Sequence, residues 1–363
     1  MKQTVLHQAH LQLKAKMADA QGWQMPLQYT GVSEEYYAVR TAVGLFDVGH
    51  LGRIEITGPG APELLQSTFT RDIADLPEGA ARYGMFCDEA GHILDTSLLF
   101  HLPPGQGEDR YLVTTESQNT DKIFSWLKQH AGKEAVLNEV TDSLSQIALQ
   151  GPRADVVLDS LSNAQIKKIK PKKMREVSLL DTPVMVSRTG YTGELGYELF
   201  IQSDQAEALW KGILKAGAEF GILPCGIAAR DLLRLEAGYL MYGVDVDETR
   251  TPLEAGLGAI VDLKKDFIGK EALVKLKADG VEQTLAGFAL LEKGIPRSGG
   301  SIFSENREIG TVTSVNHSPH LRSGIGLGYV ISRYAQPGQE VEIEVRDREI
   351  AAKFVDLPFY KKK

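Results

Sequence analysis

The spacing of apolar residues along the chain changes between the period of a strand and the period of a helix. From Arg53 to Thr57 polar and apolar residues alternate, as in a half-buried strand, and after a turn at Gly58 apolar residues recur at helical spacing up to Phe69. The same order of strand, glycine–proline turn and helix recurs around Gly151. This weak internal repeat predicts two related α+β subdomains.

Further elements follow the same two spacings. The alternating pattern predicts strands at Asp109–Thr115, Thr182–Val186 and Tyr197–Gln202. The helical pattern predicts helices at Asp121–His130 and from Ser203 onward. The turn before Tyr197 contains Gly190, Gly193 and Gly196, and these glycines permit positive backbone φ angles.

From about Ala278 the pattern becomes one of short β-type segments separated by Gly, Pro, Asn and Ser. These segments are Leu285–Leu291, Gly310–Val315, Gly326–Ile331 and Glu340–Val345. The charged stretch Lys264–Glu282 before them is expected to hold a helix and a connector. The pattern therefore predicts an α+β region over residues 1–277 and a small all-β domain over residues 278–363.

Composition narrows the class of protein. The 363 residues include 40 Lys and Arg against 48 Asp and Glu, a net charge of −8, which argues against a general polyanion binder and against a nucleic-acid partner. No apolar run approaches the roughly 18 to 20 residues that a membrane helix needs, and the charged N-terminal residues do not resemble a secretory signal. With only Cys87 and Cys225, a disulfide framework is excluded, so we expect a protein of the reducing cytoplasm without a membrane partner.

Several catalytic classes lose their usual support. The chain has no HExxH, GxSxG or GxxxxGK[ST] motif, which argues against zinc hydrolysis, serine hydrolysis and P-loop phosphate chemistry. His7 and His10, and likewise His317 and His320, have a spacing that metal ligands can have, but neither pair has a second ligand cluster. We interpret these histidines as surface or structural residues and expect no metal.

A basic run stands out in this acidic chain. Six positive charges fall within nine residues, at Lys167, Lys168, Lys170, Lys172, Lys173 and Arg175. Such a run is usually a solvated loop; otherwise it attracts an acidic partner or a polyanionic ligand tail. RNA binding is a weaker alternative, because no aromatic residue lies among these charges to stack on a base.

One carboxylate has an unusual setting. The polar turn Asp88–Gly91 leads into a predicted strand that places Asp95 among apolar residues. A carboxylate in that position either caps a turn or binds the polar edge of a ligand, and the residues alone leave both alternatives open.

Longer segments of the chain resemble the glycine cleavage T-protein family of tetrahydrofolate-dependent aminomethyltransferases. The resemblance runs nearly end to end and is carried by Gly22–Tyr29, Glu35–Arg40, Leu45–Val48, Gln150–Pro152, Thr189–Glu198, Cys225–Gly238, Tyr242–Gly243, Thr251–Ala255, Gly310–Ser314, Ser318–Pro319 and Leu327–Val330. The densest block, Cys225–Gly238, reads CGIAARDLLRLEAG.

The resemblance implies a fold, a reaction and partners. The fold is α+β, a three-domain cloverleaf around a folate cavity, with two interleaved α+β subdomains, one of them at about 53–140, and a C-terminal β-barrel-like domain at 278–363. The reaction moves the methylene carbon of an aminomethyl group on lipoylated H-protein to tetrahydrofolate, the co-substrate. Ammonia leaves, and 5,10-methylenetetrahydrofolate and dihydrolipoyl H-protein form.

The resemblance also implies site residues. Asp95 matches the essential aspartate of the family, and Glu198 and Arg230 match its folate-contacting glutamate and arginine. Tyr83 matches a tyrosine that lines the pterin site, and Tyr360 matches a C-terminal ligand-contacting tyrosine. A carboxylate such as Glu198 suits the adjacent N–H donors of a pterin edge, and an ionised Asp95 suits the positive charge that develops at the transferring carbon.

Four positions depart from the usual family pattern. His92 follows Gly91 where two glycines are usual, Thr96 replaces a second aspartate, Gly49 replaces a common serine, and Glu116 lies near a usual asparagine. The first two concern the turn that presents Asp95, and Glu116 adds a negative charge. These departures bear on catalytic efficiency and substrate range and leave the predicted fold unchanged.

Two other functions share this fold. One is a folate-dependent demethylase of a small methylated substrate, which would be active without H-protein. The other is a non-catalytic folate-binding protein of iron–sulfur cluster assembly, which typically carries a Lys-Gly-Cys-Tyr-type segment that is absent here. Asp95, Glu198 and Arg230 favour an enzyme over the non-catalytic protein, and the aminomethyltransferase is the main interpretation.

Overall fold

The computed structural model describes residues 1–105, 108–162, 164–346 and 348–362. They form helices α1 (His7–Gln12), α2 (Val32–Thr41), α3 (Ala61–Thr68), α4 (Thr120–His130), α5 (Ala154–Ser160), α6 (Ala206–Gly217), α7 (Ile227–Glu236) and α8 (Lys270–Asp279).

The strands before the barrel domain are β1 (Lys16–Ala20), β2 (Trp23–Gln28), β3 (Val43–Asp47), β4 (Gly52–Thr57), β5 (Ala80–Cys87), β6 (Ile93–Gly105), β7 (Glu108–Thr115), β8 (Val136–Glu139), β9 (Leu144–Gln150), β10 (Met174–Leu179), β11 (Thr182–Ser187), β12 (Gly196–Gln202) and β13 (Ile222–Cys225). Those of the barrel are β14 (Gln283–Leu290), β15 (Ser301–Ser304), β16 (Arg307–Ser318), β17 (Ser323–Ile331), β18 (Glu340–Val345) and β19 (Arg348–Val355).

The chain divides into two compact units. The first contains Met1–Gly84 and Thr96–Asp231, and the second contains Met85–Asp95 and the chain from Leu232 onward. The tip of the β5–β6 hairpin therefore belongs to the second unit, although the rest of both strands belongs to the first.

A six-stranded sheet in the order β10-β11-β12-β9-β3-β13 forms much of the first unit. Neighbouring strands of this sheet are antiparallel, except for the pair β3 and β13, which is parallel. Helices α5 and α6 cover it, and Leu158, Trp210 and Ile213 are fully buried against the sheet residues Leu149 and Leu199. The helical spacing of these apolar side chains places them on one helix face, so their burial stabilises both layers together.

The predicted repeat is present in the first unit. Strand β4 leads through Gly58 to α3, and strand β9 leads through Gly151 to α5. Both glycines have positive φ angles, 89° and 135°, and a Cβ atom at either would lie within 2.6 Å of a carbonyl oxygen. Glycine is therefore required in both turns for conformation and for space.

The C-terminal domain is a closed barrel in the order β14-β17-β16-β15-β18-β19. Alternate residues of its strands point inward, so that Phe288, Ile302, Val330, Ile343 and Phe354 form a buried core. These findings confirm the α+β fold class and the C-terminal barrel. The sequence pattern missed β15 and β19, because β15 is only four residues long and β19 carries charged residues at three positions.

Two further findings concern the described part of the chain. None of its helices combines the length and the apolar character needed to cross a membrane. No three of its His, Cys, Asp or Glu side chains converge as the ligands of a metal ion would.

Candidate functional site

Glu198 lies in the middle of the six-stranded sheet of the first unit, on β12. Its side chain is buried, and its carboxylate accepts hydrogen bonds from Gln146 Nε2 at 3.0 Å and from the hydroxyl of Thr189. Gln146 is itself buried, and its Oε1 atom has no hydrogen-bond partner among the described residues. The two side chains therefore present a carboxylate and an unused amide oxygen side by side.

Burial makes the charge of Glu198 costly. Loss of solvent raises the pKa of Glu198 above its usual value, although the hydrogen bond from Thr189, the nearby charge of Arg230 and the hydrogen bond from Gln146 all act in the opposite direction. A carboxylate held this way is ready to accept hydrogen bonds from a polar ligand, because two protein donors do not use all of its lone pairs.

Arg230 lies near the start of α7. Its guanidinium carbon is 4.5 Å from the centre of the Tyr191 ring, and its charge acts on both Glu198 and His50. The chain is held immediately before α7, where the backbone N–H of Gly226 donates to Glu35 Oε2 at 2.8 Å. Arg230 is thus the cationic member of a first-unit cluster with Glu198.

The turn between β11 and β12 is packed against Gln150. Thr192 donates to Gln150 Oε1 at 2.9 Å, and a Cβ atom at Gly190 or Gly196 would lie 2.1 Å from the same oxygen. Of the three glycines in this turn, Gly193 alone is found with a positive φ angle, 78°. Gly190 and Gly196 do not adopt the positive φ that glycine permits, and each lies close to the buried Gln150 amide.

A second buried cluster lies at the end of β3. Asp47 Oδ2 is 2.9 Å from His10 Nε2 and accepts the Thr4 hydroxyl proton at 2.6 Å, and the Tyr29 hydroxyl is 2.9 Å from His10 Nδ1. Burial alone would raise the pKa of Asp47, but the contacts with His10 and Thr4 lower it overall. His10 is therefore a member of a buried hydrogen-bonded cluster.

The loop after Asp47 carries His50. Asp47 Oδ1 accepts the Gly49 N–H at 2.8 Å, and the buried Arg53 guanidinium donates to the carbonyl oxygens of Gly49 and Leu51. His50 is 8% exposed, and its Nδ1 atom has no hydrogen-bond partner among the described residues. Burial, followed by the charge of Arg230, lowers the pKa of His50 to about 4, so the imidazole is neutral near pH 7.

Asp95 lies in the second unit at the start of β6 and is fully buried. The hairpin before it is fixed by contacts within that unit: the Ile93 N–H donates to the Arg250 carbonyl at 2.9 Å, and Tyr242 donates to the Ile93 carbonyl at 3.3 Å. His92, one of the departures from the family pattern, donates its backbone N–H to Asp88 Oδ1 at 2.8 Å. The expected polar turn before Asp95 is confirmed.

The two candidate tyrosines lie in different units. Tyr83 is half-buried on β5 in the first unit. Tyr360 is half-buried in the second unit, where its N–H donates to the Glu236 carbonyl at 2.7 Å and its ring is 5.0 Å from the His320 ring. The structure thus brings Glu198 and Arg230 together within the first unit, and it places Asp95 and Tyr360 in the second.

Sequence reasoning did not identify Gln146, Thr189, His50 or Glu35 as members of these clusters. Glu35 and Thr189 lie inside segments that carried the family resemblance. The resemblance marks these two positions but does not identify the residues that they contact. Gln146 and His50 lie outside those segments, and local spacing gives no signal for either residue.

Comparison with known proteins gives matches over nearly the whole chain. The family described as "GCVT N-terminal domain" matches residues 6–265, and "Glycine cleavage T-protein C-terminal barrel domain" matches residues 283–361. The aminomethyltransferase of Halothermothrix orenii is 42% identical over 360 residues, covering 99% of this chain and 100% of the relative. That of Bacillus subtilis is 38% identical over 365 residues, covering 100% of both chains.

A solved structure agrees with these relatives. The glycine cleavage system aminomethyltransferase T from Bartonella henselae superimposes with a TM-score of 0.91 at 31% identity, covering 99% of this chain and 98% of the other. Matches of this identity and coverage confirm the resemblance found in the sequence. The chain therefore belongs to the glycine cleavage T-protein family and is an aminomethyltransferase.

Proposed function

We propose that the enzyme transfers the methylene carbon of an aminomethyl group, carried on the lipoyl sulfur of H-protein, to tetrahydrofolate. The carbon–sulfur and carbon–nitrogen bonds of the aminomethyl group break, and bonds to folate N5 and N10 form. Ammonia, 5,10-methylenetetrahydrofolate and dihydrolipoyl H-protein are the products. The observation that carries this proposal is the buried Glu198 carboxylate beside Gln146 and Arg230, in a chain of this family.

The first-unit residues fit tetrahydrofolate. Its amino-pyrimidinone edge presents adjacent N–H donors, and the Glu198 carboxylate is a suitable bidentate acceptor for them. The unpartnered Gln146 Oε1 adds a further acceptor beside it. Arg230 supports the ionised state of Glu198, since its charge lowers the pKa that burial raises. Tyr83 is proposed to line the pterin site.

Asp95 is proposed as the catalytic carboxylate. Tetrahydrofolate supplies the nucleophilic nitrogens, and positive charge develops at the carbon that is transferred. The buried, negatively charged Asp95 stabilises that charge and holds the folate nitrogen in line, a contribution of about 3 kcal/mol if it resembles other preorganised catalytic groups. It acts by electrostatics and position, without a covalent intermediate. Tyr360 is proposed as an additional ligand contact.

The enzyme is proposed to act in the cytoplasm with lipoylated H-protein as its protein partner. In support, Cys87 and Cys225 are both free and buried, and burial raises the pKa of each thiol. Neither side chain is therefore suited to disulfide chemistry.

The test is a product assay with purified enzyme. With aminomethylated H-protein and tetrahydrofolate, ammonia and 5,10-methylenetetrahydrofolate should form in equal amounts. Omission of H-protein, with a methylated amine or sulfonium compound supplied in its place, should abolish folate turnover. Turnover under that second condition would support the demethylase instead, and folate binding without turnover under either condition would support the non-catalytic role.

A further inference from the structure

The imidazole of His50 is buried in the first unit and makes no hydrogen bond there. Only 8% of the residue is exposed, its Nδ1 atom is buried, and neither ring nitrogen is hydrogen-bonded to a described residue. Most buried polar side chains in proteins have a partner, and one without a partner costs free energy. The partner of His50 is therefore to be sought in a ligand.

The backbone around His50 is fixed on both sides. The buried Arg53 guanidinium donates to the carbonyl oxygens of Gly49 and Leu51, at 3.0 and 2.5 Å, and Asp47 Oδ1 accepts the Gly49 N–H at 2.8 Å. The imidazole is thus held in place by its neighbours although it makes no hydrogen bond itself. Supporting contacts of this kind are typical of groups that must meet a ligand in a defined position.

Strand pairing places this loop close to Glu198. One residue of β9 pairs with Phe46 of β3 on one side and with Glu198 of β12 on the other, so two strand spacings, about 10 Å, separate the two backbones. His50 follows Phe46 by four residues. The Val48 N–H donates to the backbone carbonyl of Gln146 at 3.2 Å, and the side chain of Gln146 donates to Glu198. The loop therefore begins against a residue of the proposed pterin site.

Electrostatics connects the same residues. The charge of Arg230 acts on both His50 and Glu198. Burial, followed by the charge of Arg230, lowers the pKa of His50 to about 4, so its imidazole is neutral near pH 7. A neutral imidazole carries one N–H donor. Beside the acceptors Glu198 and Gln146 Oε1, the cluster thus has a donor that no described residue uses.

The pterin of tetrahydrofolate has a matching requirement. Its amino-pyrimidinone edge carries a carbonyl oxygen next to the N–H groups that are proposed to bind Glu198. This oxygen loses its hydrogen bonds to water in a buried site, which costs free energy unless the protein supplies a donor. The Glu198 carboxylate and Gln146 Oε1 are acceptors and cannot supply it.

We propose that the His50 imidazole binds tetrahydrofolate by donating a hydrogen bond to the carbonyl oxygen of its pterin ring. This inference rests on the proposed folate dependence of the enzyme. His50 makes this contact throughout the reaction and takes no part in breaking or forming bonds. It therefore contributes to the affinity for tetrahydrofolate more than to the turnover number.

The experiment compares His50→Leu and His50→Gln with the parent at pH 7. Calorimetric titration gives the dissociation constant of tetrahydrofolate, and thermal unfolding without ligand gives the melting temperature. Leucine has a similar volume and no polar side-chain atom, whereas glutamine keeps an N–H donor. The control is His101→Leu, at a first-unit histidine whose Nδ1 atom lies 2.8 Å from the Leu76 carbonyl oxygen and so already has a partner.

His50→Leu should raise the dissociation constant about tenfold, as the loss of one hydrogen bond would, and His50→Gln should stay within about threefold of the parent. The melting temperature of ligand-free His50→Leu should equal or exceed that of the parent, because an unpaired buried polar group has been removed. His101→Leu should show the reverse, with a lower melting temperature and unchanged affinity. A purely structural His50 would give the pattern of His101.

Isotope-edited infrared spectroscopy of bound tetrahydrofolate, labelled at the pterin carbonyl, identifies the atom that is contacted. The carbonyl stretch should lie at higher frequency in His50→Leu than in the parent, because a hydrogen-bond donor weakens the carbonyl bond. Equal affinity or equal carbonyl frequency in the two proteins would overturn the inference. Failure of the proposed function looks different, because the parent itself would then not bind tetrahydrofolate.

Discussion

The carboxylate of Glu35 joins two parts of the first unit that are far apart in sequence. Its Oε2 atom accepts the Gly226 N–H, 191 residues later, at 2.8 Å, and its Oε1 atom accepts the N–H groups of Tyr29 and Thr30 at 2.5 and 3.1 Å. Helix α7 begins one residue after Gly226 and carries Arg230 in its first turn. A residue with no exposed surface thus determines where a proposed ligand-binding arginine lies.

Glu35→Gln should destabilise the protein. The NH2 group of the glutamine would face backbone N–H groups that now donate to a carboxylate oxygen of Glu35, and two donors cannot bond to each other. The expected loss in free energy of unfolding is about 2 to 4 kcal/mol, typical of a broken buried charged network. Urea unfolding measures it, and the exposed neighbour Glu34→Gln should change stability by less than about 0.5 kcal/mol. Equal stability of the two variants would show that Glu35 does not anchor α7.

Glu198→Gln should stabilise the ligand-free enzyme at neutral pH and weaken folate binding. Burial raises the pKa of Glu198 in the folded state, so the folded protein holds this proton more tightly than the unfolded chain does. The folded protein therefore loses stability as the pH rises from the pKa of Glu198 in the unfolded chain to its higher pKa in the folded state. The glutamine has no such ionisation. Its melting temperature should exceed that of the parent at pH 7 and match it more closely at pH 4.

The affinity of Glu198→Gln for tetrahydrofolate should fall by roughly tenfold to a hundredfold, the difference between a charged and a neutral acceptor. Calorimetric titration at pH 7 checks this value. Unchanged affinity would remove Glu198 from the proposed site even if the melting temperature rises as expected.

The stability of the protein should depend on His50 in mildly acidic solution. Burial lowers the pKa of His50 from 6.5 to about 4, and the groups that act on it are Arg230, Asp47 and Arg53. Between these two pH values the unfolded chain binds a proton that the folded protein does not, so stability falls as pH falls through the window. The contribution at neutral pH relative to pH 4 is about 3 kcal/mol.

His50→Gln should therefore show a flatter dependence of the free energy of unfolding on pH between 6.5 and 4. Urea unfolding at four or five pH values across this window measures the slope for both proteins. Identical slopes would mean that another group titrates there.

The sequence predicts those parts of the molecule in which local spacing decides the structure. The strand, turn and helix around Gly58 and Gly151 are readable because period 2 gives way to period 3.6 at a glycine. Four barrel strands, β14, β16, β17 and β18, are readable as short β-type segments between turn residues, whereas β15 and β19 are not. Glu198 and Arg230 were found through the family resemblance, which supplies a position without its contacts.

Contacts between distant residues could not be predicted in this way. A Cβ atom at Gly190 or Gly196 would lie 2.1 Å from Gln150 Oε1, and His10 contacts Asp47, which is 37 residues away in the sequence. Nothing in the local sequence distinguishes these residues from solvated ones. The sequence shows that Gly190 and Gly196 permit positive φ angles, and the structure adds that both lie close to the Gln150 amide.

The most direct test of the catalytic account is the steady-state rate of 5,10-methylenetetrahydrofolate formation from aminomethylated H-protein by Asp95→Asn. The substitution removes the buried charge and keeps the shape of the side chain, so turnover should fall by roughly two orders of magnitude or more, while the dissociation constant for tetrahydrofolate stays within about threefold of the parent value. Asp121→Asn, at an exposed carboxylate on α4, serves as the control and should retain parental turnover. An unchanged turnover number for Asp95→Asn would contradict the role assigned to Asp95.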